Sequence, residues 1–337
     1  MITDQRPRAV LVFPGRGSYG PTSLGSFPAD NRLVAVADGV RVELGLDRLA
    51  VLDAAEAFDP KIHLRPSNTG PLTWLASMLD AERALADHRV VAVIGNSPGW
   101  FAALAVAGAL DAADAFRLVQ GIALLQEEAV DAGAGGGHLI YPRLDSDWQP
   151  MAEWIAALDA VGEDGGEVFP SVDLGGFVIL AGTDAGIDRV AGRLPSVELG
   201  ERRYPLRLAF HVPYHTPLQD AVAASAAARF TNLSWRLPRL TLIDGRGERF
   251  TPWTTDPAEL AAYTLGEQLV SPYRFALSAH VALREYAPDV LVLPGPGNTM
   301  GGVMGQLVVT EGYRGLRTRA DFEAAQAGPK PVVLSMR

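Results

Sequence analysis

The pentapeptide Gly95-Asn96-Ser97-Pro98-Gly99 lies between two apolar stretches, Val90–Ile94 before it and Phe101–Leu110 after it. The first reads as a buried strand and the second as a helix, so the chain runs strand, sharp turn, helix with a serine at the bend. A turn of this kind is a nucleophile elbow. It points the serine hydroxyl outward, while the helix N-terminus behind it favours developing negative charge. In a chain with 35 glycines the Gly-x-Ser-x-Gly spacing alone is weak, because a plain glycine turn has the same letters. The flanking strand and helix carry the weight. Pro98 cuts against the reading. As a first helical residue it is well placed, yet it has no N–H at the position that in most elbows donates to the oxyanion.

With 337 residues and 48% hydrophobic residues, the chain can build one large or two modest domains with ample core. Neither apolar stretch spans a bilayer, and no apolar signal core precedes the first strand, so a soluble cytoplasmic protein without membrane contact is expected. The absence of cysteine removes disulfides, thiolate nucleophiles and thiolate metal sites, leaving oxygen and imidazole chemistry. No metal site and no tightly bound cofactor are expected. A formal net charge of −10 argues against a general nucleic-acid binder. The clusters Arg202, Arg203, Arg207 and Arg314, Arg317, Arg319 read as solvated arginines.

Strand Ala9–Phe13 leads into the glycine-rich turn Pro14–Ser18, and helical patterning follows at Asn31–Leu44, Leu72–Asp87 and Ala112–Val130. Alternating strands and helices suggest an α/β sheet. Ala132–Gly137, composed only of alanine and glycine, reads as a hinge into a second unit. That unit shows strand His138–Pro142, helix Trp148–Ala160, strands Phe169–Asp173 and Phe177–Ala181, helix Ala185–Leu194 and strand Leu206–Val212. The order β-α-β-β-α-β is ferredoxin-like. Helix Pro217–Phe230, a strand at Leu240–Ile243, helices Pro257–Leu269 and Ala276–Glu285 and strand Val290–Pro294 complete the chain. The expected architecture is an α/β-hydrolase-like large domain with a parallel sheet, residues 1–134 and 208–337, interrupted by a ferredoxin-like small subdomain, residues 135–207.

A serine nucleophile needs a base, and His215 leads the six histidines. It follows the last strand of the insertion in Val212-Pro213-Tyr214-His215-Thr216-Pro217, where prolines fix a turn. His211 is its rival. His63 and His88 lie in polar segments, and His138 and His280 on strand and helix positions that favour structural roles. Gly15-Arg16-Gly17 resembles a phosphate cradle but lacks both the P-loop and the dinucleotide spacing.

Five segments in order, Phe13-Pro14-Gly15-Arg16-Gly17-Ser18, Gly95-Asn96-Ser97-Pro98-Gly99, Val212-Pro213-Tyr214-His215, Gln268-Leu269-Val270-Ser271-Pro272 and Gly295-Pro296-Gly297, resemble the malonyl-CoA:acyl-carrier-protein transacylase family. The resemblance covers nearly the whole chain. It implies ping-pong transfer of an acyl group from an acyl-CoA or carrier-protein thioester, through an ester on Ser97, to the phosphopantetheine thiol of an acyl carrier protein in fatty acid or polyketide biosynthesis. It further implies His215 as base, the main-chain carbonyl of Gln268 as acceptor from the imidazole, and the Arg16 N–H as an oxyanion donor.

The departures concern the substrate pocket. Where the family has Gly-His-Ser-Leu-Gly-Glu, this chain has Asn96, Pro98 and Trp100 in place of histidine, leucine and glutamate. The family arginine that grips the malonyl carboxylate is Ile122, and the glutamine of Thr-Gln-Pro-Ala is Gly70. Isoleucine cannot replace a bidentate, charge-assisted partner, and Gly70 adds space. With His211 also in the expected pocket, an uncharged acyl group larger or more hydrophobic than malonyl is expected, unless Arg16 or Arg117 substitutes as the cation. For the oxyanion donor missing at Pro98, the Gly99 N–H, the Asn96 side chain or water would substitute. The alternatives to transfer are a thioesterase of the same family and a noncatalytic carrier-protein-binding module.

Overall fold

The computed structural model describes residues 4–161, 166–208 and 212–337. Its strands in chain order are β1 (Arg8–Phe13), β2 (Arg89–Gly95), β3 (Gly137–Pro142), β4 (Val168–Asp173), β5 (Phe177–Gly182) and β6 (Val197–Leu199). They continue with β7 (Arg202–Tyr204), β8 (Leu206–Leu208), β9 (Thr241–Ile243), β10 (Arg249–Phe250), β11 (Val290–Leu293) and β12 (Val333–Ser335).

The larger sheet has the order β10-β9-β2-β1-β11-β12, parallel throughout except for the edge strand β10. Ala9 to Phe13 are all buried, as expected of a central parallel strand covered on both faces. Alternation along β1 sends Ala9, Leu11 and Phe13 into one core and Val10 and Val12 into the other. The register pairs Phe13 with Gly95, so the loops that follow β1 and β2 leave the sheet side by side. Their carboxyl ends are where open α/β sheets place ligands.

The smaller sheet, β4-β5-β3-β8, is antiparallel, and helices Ala152–Val161 and Asp184–Arg193 supply the other layer of its core. This is the ferredoxin-like order on an α/β fold. Val178 and Leu180 face the small core, whereas Ile179 packs with the large unit. The same period of two turns His138 toward the large unit while Leu139 and Tyr141 stay in the small core.

Several elements differ from expectation. The helix expected at Trp148–Ala160 begins at Ala152. Trp148 instead occupies a turn at φ 65°, closed by Asp145, whose carboxylate accepts from the N–H groups of Asp147 and Gln149. The helix expected over Pro257–Leu269 is interrupted, running as an α-helix at Pro257–Ala262, a π-turn at Tyr263–Glu267 and a last α turn at Gln268–Val270. The helix expected from Leu72 begins at Pro66 and includes Pro71. Pro71 leaves the Ser67 carbonyl without its helical donor. The buried side chains of Arg41 and Gln120 donate to it instead, at 2.8 and 3.0 Å. Among the described residues no helix is long and apolar enough to cross a membrane.

Candidate active site

The elbow depends on two glycines for close approach. A Cβ on Gly95 would lie 2.3 Å from the Gly99 carbonyl carbon, and one on Gly99 would lie 2.6 Å from the Phe13 oxygen. No other residue lets β2 turn so tightly into helix Gly99–Val106 against β1. Ser97 sits at the bend with φ 54°, a left-handed conformation that a non-glycine residue adopts only where the surroundings hold it.

His215 approaches from the loop after the small sheet, also at positive φ, 56°. Ser97 Oγ lies 2.6 Å from His215 Nε2, and His215 Nδ1 lies 2.7 Å from the Gln268 carbonyl oxygen. The local sequence explains why that carbonyl is free. Its helical partner four residues on would be Pro272, which has no N–H. The neighbouring Leu269 carbonyl accepts the His215 main-chain N–H at 3.0 Å, fixing the loop to the end of the same helix. With Nδ1–H donating to a carbonyl, Nε2 carries the lone pair and can accept the serine proton.

Burial pushes His215 down to a pKa of about 4, against a partial upward pull from its hydrogen bond to Gln268. His138 is likewise pushed down by burial, to about 3. Both rings are therefore neutral at pH 7. Any acylation that uses Nε2 as base is expected to proceed at a constant rate from pH 8 to about 5 and to fall below that as the ring takes its proton. A rate inflection near the ordinary histidine value of 6.5 would contradict this placement. Stability follows the same sign: below pH 6.5 the unfolded chain binds protons that the folded one refuses, so stability declines as pH falls toward 4.

A second network holds the histidine loop from the small sheet. Ser171 Oγ donates to the Tyr214 carbonyl at 2.9 Å, and the His138 ring packs 5.5 Å from that of Tyr214. Tyr273 joins both units to the elbow. Its main-chain N–H donates to the Ser171 carbonyl, its hydroxyl to the Gly95 carbonyl at 2.5 Å, and its ring lies 5.3 Å from that of His215.

Ser97 and His215 open onto a cavity. Gly70, Asn96, Pro98, Ile122 and Gln268 line it, together with Phe101, Val119, Val222 and Leu269. Trp100, expected at the pocket, does not. It is fully buried on the other side of its helix, donating to Thr264 Oγ1 at 2.9 Å and packing edge-on against Tyr263. His211 lies outside the described residues. Arg117 is half-exposed and pairs with Glu43 and Asp114 away from the cavity, so it is not the substitute cation. Arg16 is the only Lys or Arg lining the cavity among the described residues, and its guanidinium donates to the Tyr214 hydroxyl at 2.6 Å and to the Leu64 carbonyl at 3.2 Å.

The main-chain N–H groups of Arg16 and Ser97 have no partner among the described residues. The Gly99 N–H, which the sequence offered in place of the missing Pro98 donor, is committed to the Asn96 carbonyl at 2.9 Å. Asn96 itself packs its amide against Gly15, where a Cβ would lie 2.7 Å from Nδ2. The arrangement is a serine polarised by a neutral, oriented imidazole beside one loop N–H, with no donor at position 98. It suits attack on an activated carbonyl.

No family model matches the chain. Among characterised proteins it is 30% identical over 219 residues to the malonyl CoA-acyl carrier protein transacylase of Haemophilus influenzae, a match that spans 64% of either chain. It is 25% identical over 320 residues to the transacylase of that name from Salmonella typhimurium, covering 94% of this chain and 97% of the relative. Among solved structures, the acyl carrier protein S-malonyltransferase of Vibrio cholerae superimposes with a TM-score of 0.72 at 23% identity, over 98% of this chain and 96% of that one.

Proposed function

Because the chain belongs to the malonyl-CoA:acyl-carrier-protein transacylase family, as a divergent member, we propose that it is an acyltransferase that moves an uncharged acyl group from a thioester to the thiol of an acyl carrier protein. The observation that carries the reading is the hydrogen-bonded line from Ser97 through His215 to the Gln268 carbonyl, opening onto a cavity whose family arginine position holds Ile122.

Ser97 Oγ attacks the thioester carbonyl as its proton passes to His215 Nε2, while the Gln268 carbonyl holds the ring through Nδ1–H. The Arg16 N–H stabilises the oxyanion. Collapse breaks the C–S bond, the departing sulfur takes the proton from Nε2, and the acyl group remains as an ester on Ser97. The carrier-protein thiol reverses these steps. No bound cofactor is needed, since the acyl group arrives on one sulfur and leaves on another. In this reading residues 1–134 and 208–337 form the unit bearing the elbow, residues 135–207 form the small unit that holds the histidine loop, and the setting is cytoplasmic fatty acid or polyketide synthesis.

Incubation with acyl thioesters and a phosphopantetheinylated carrier protein tests the proposal. Acyl-carrier product is expected; free acid without it would make the protein a hydrolase, and no turnover at all would leave only a carrier-binding module. Ile122→Arg tests the pocket. A desolvated carboxylate lacking its partner loses about 3–5 kcal/mol, so the variant is expected to raise malonyl acylation by about 10²–10⁴-fold and to depress that of the native acyl group. An unchanged preference would remove Ile122 from the specificity argument.

A further inference from the structure

Seven buried side-chain polar atoms among the described residues lack a hydrogen-bond partner, and four of them belong to residues lining the cavity at Ser97: Thr69 Oγ1, Asn96 Oδ1, Gln219 Oε1 and Gln268 Oε1. Native proteins leave few such atoms unpaired, because each forfeits its hydration without return. Asn96 and Gln268 adjoin the serine; the Gln268 amide donates to the Ser97 carbonyl at 3.3 Å, so these two belong to the reacting end. Thr69 and Gln219 belong to the wall. Thr69, 1% exposed, stands beside Gly70 on helix Pro66–Asp87, which packs on the helix carrying Ile122. Gln219, 3% exposed, immediately precedes helix Asp220–Arg229, which carries Val222 and packs on the same helix.

A plain hydrocarbon acyl chain filling this space would seal both polar groups against methylenes. A carboxylate would face Ile122, Val119 and Val222, and Arg16, the only Lys or Arg lining the cavity among the described residues, already donates to the Tyr214 hydroxyl and the Leu64 carbonyl; an ammonium would find no acid, since no Asp or Glu lines the cavity among those residues. A hydroxyl both donates and accepts, as do a threonine hydroxyl and a glutamine amide. We infer, on the acyltransferase reading above, that the transferred group is a neutral hydroxyacyl chain whose hydroxyl is read by Thr69 and Gln219.

The test is single-turnover acylation of Ser97 by matched N-acetylcysteamine thioesters of butanoate, 3-hydroxybutanoate and 4-hydroxybutanoate. At least one hydroxy ester is expected to react 10-fold or more faster than butanoyl, because a site built for a hydroxyl rejects the analogue that lacks it. The near-isosteric pair Thr69→Val and Gln219→Met is expected to abolish that preference, and a preference that survives both changes would overturn the assignment. Butanoyl reacting as fast as both hydroxy esters in the wild type would overturn this inference and leave the acyltransferase reading standing. Acylation by none of the esters would overturn both.

Discussion

Alanine at Ser97 is expected to abolish acyl-enzyme formation outright, and alanine at His215 to slow it by about 10⁴–10⁶-fold. The size of the second effect follows from the geometry. At neutral pH a serine hydroxyl is a poor nucleophile, and among the described residues the group placed to take its proton is the Nε2 atom 2.6 Å away. His215 is also neutral there, so the whole population is competent as base. The Gln268 carbonyl differs from a carboxylate in one respect: it orients the ring without adding negative charge to stabilise the imidazolium. Substituting the Gln268 side chain is therefore expected to matter far less than substituting His215. Comparable losses from Gln268→Ala and His215→Ala would show that the side chain, not the carbonyl, is the important group.

Pro98→Leu is expected to accelerate acylation by about 10²-fold. Pro98 has φ −63° and ψ −14°, which leucine adopts without strain, so the change restores an N–H at the residue after the nucleophile and leaves the turn as it is. Nothing else at the helix start supplies that donor, because the Gly99 and Trp100 N–H groups donate to the Asn96 and Ser97 carbonyls. The cost is a small loss of stability, about 0.4–1 kcal/mol, from the greater freedom of the unfolded chain. Single-turnover acylation with and without the substitution measures the gain. An unchanged rate would mean that position 98 does not face the oxyanion.

The elbow and the histidine were legible in the sequence because their chemistry sits in short segments with proline and glycine punctuation. The contact of the Gln268 carbonyl with the imidazole was available only through family resemblance, since a main-chain atom leaves no residue type to read; Pro272 was the local signal that it would be free. Trp100 was misplaced for a definable reason. Helix Gly99–Val106 is apolar on every side and buried around its circumference, so no polar face tells which side meets the cavity. The break after Ala262 leaves little mark in the sequence because a π-turn keeps the helical pattern nearly intact while shifting its phase. Thr69 and Gln219 were unremarkable as letters. Their meaning comes from burial without partners, which only the packed structure supplies.

The most direct measurement is the intact mass of the wild-type protein and of Ser97→Ala after exposure to a mixed pool of acyl-CoA and acyl-carrier thioesters, followed by addition of carrier-protein thiol. The expected result is one acyl adduct on the wild type, absent from the variant, that is discharged to the added thiol as acyl-carrier product. An adduct that persists in Ser97→Ala, or a wild type that carries none, would contradict the account.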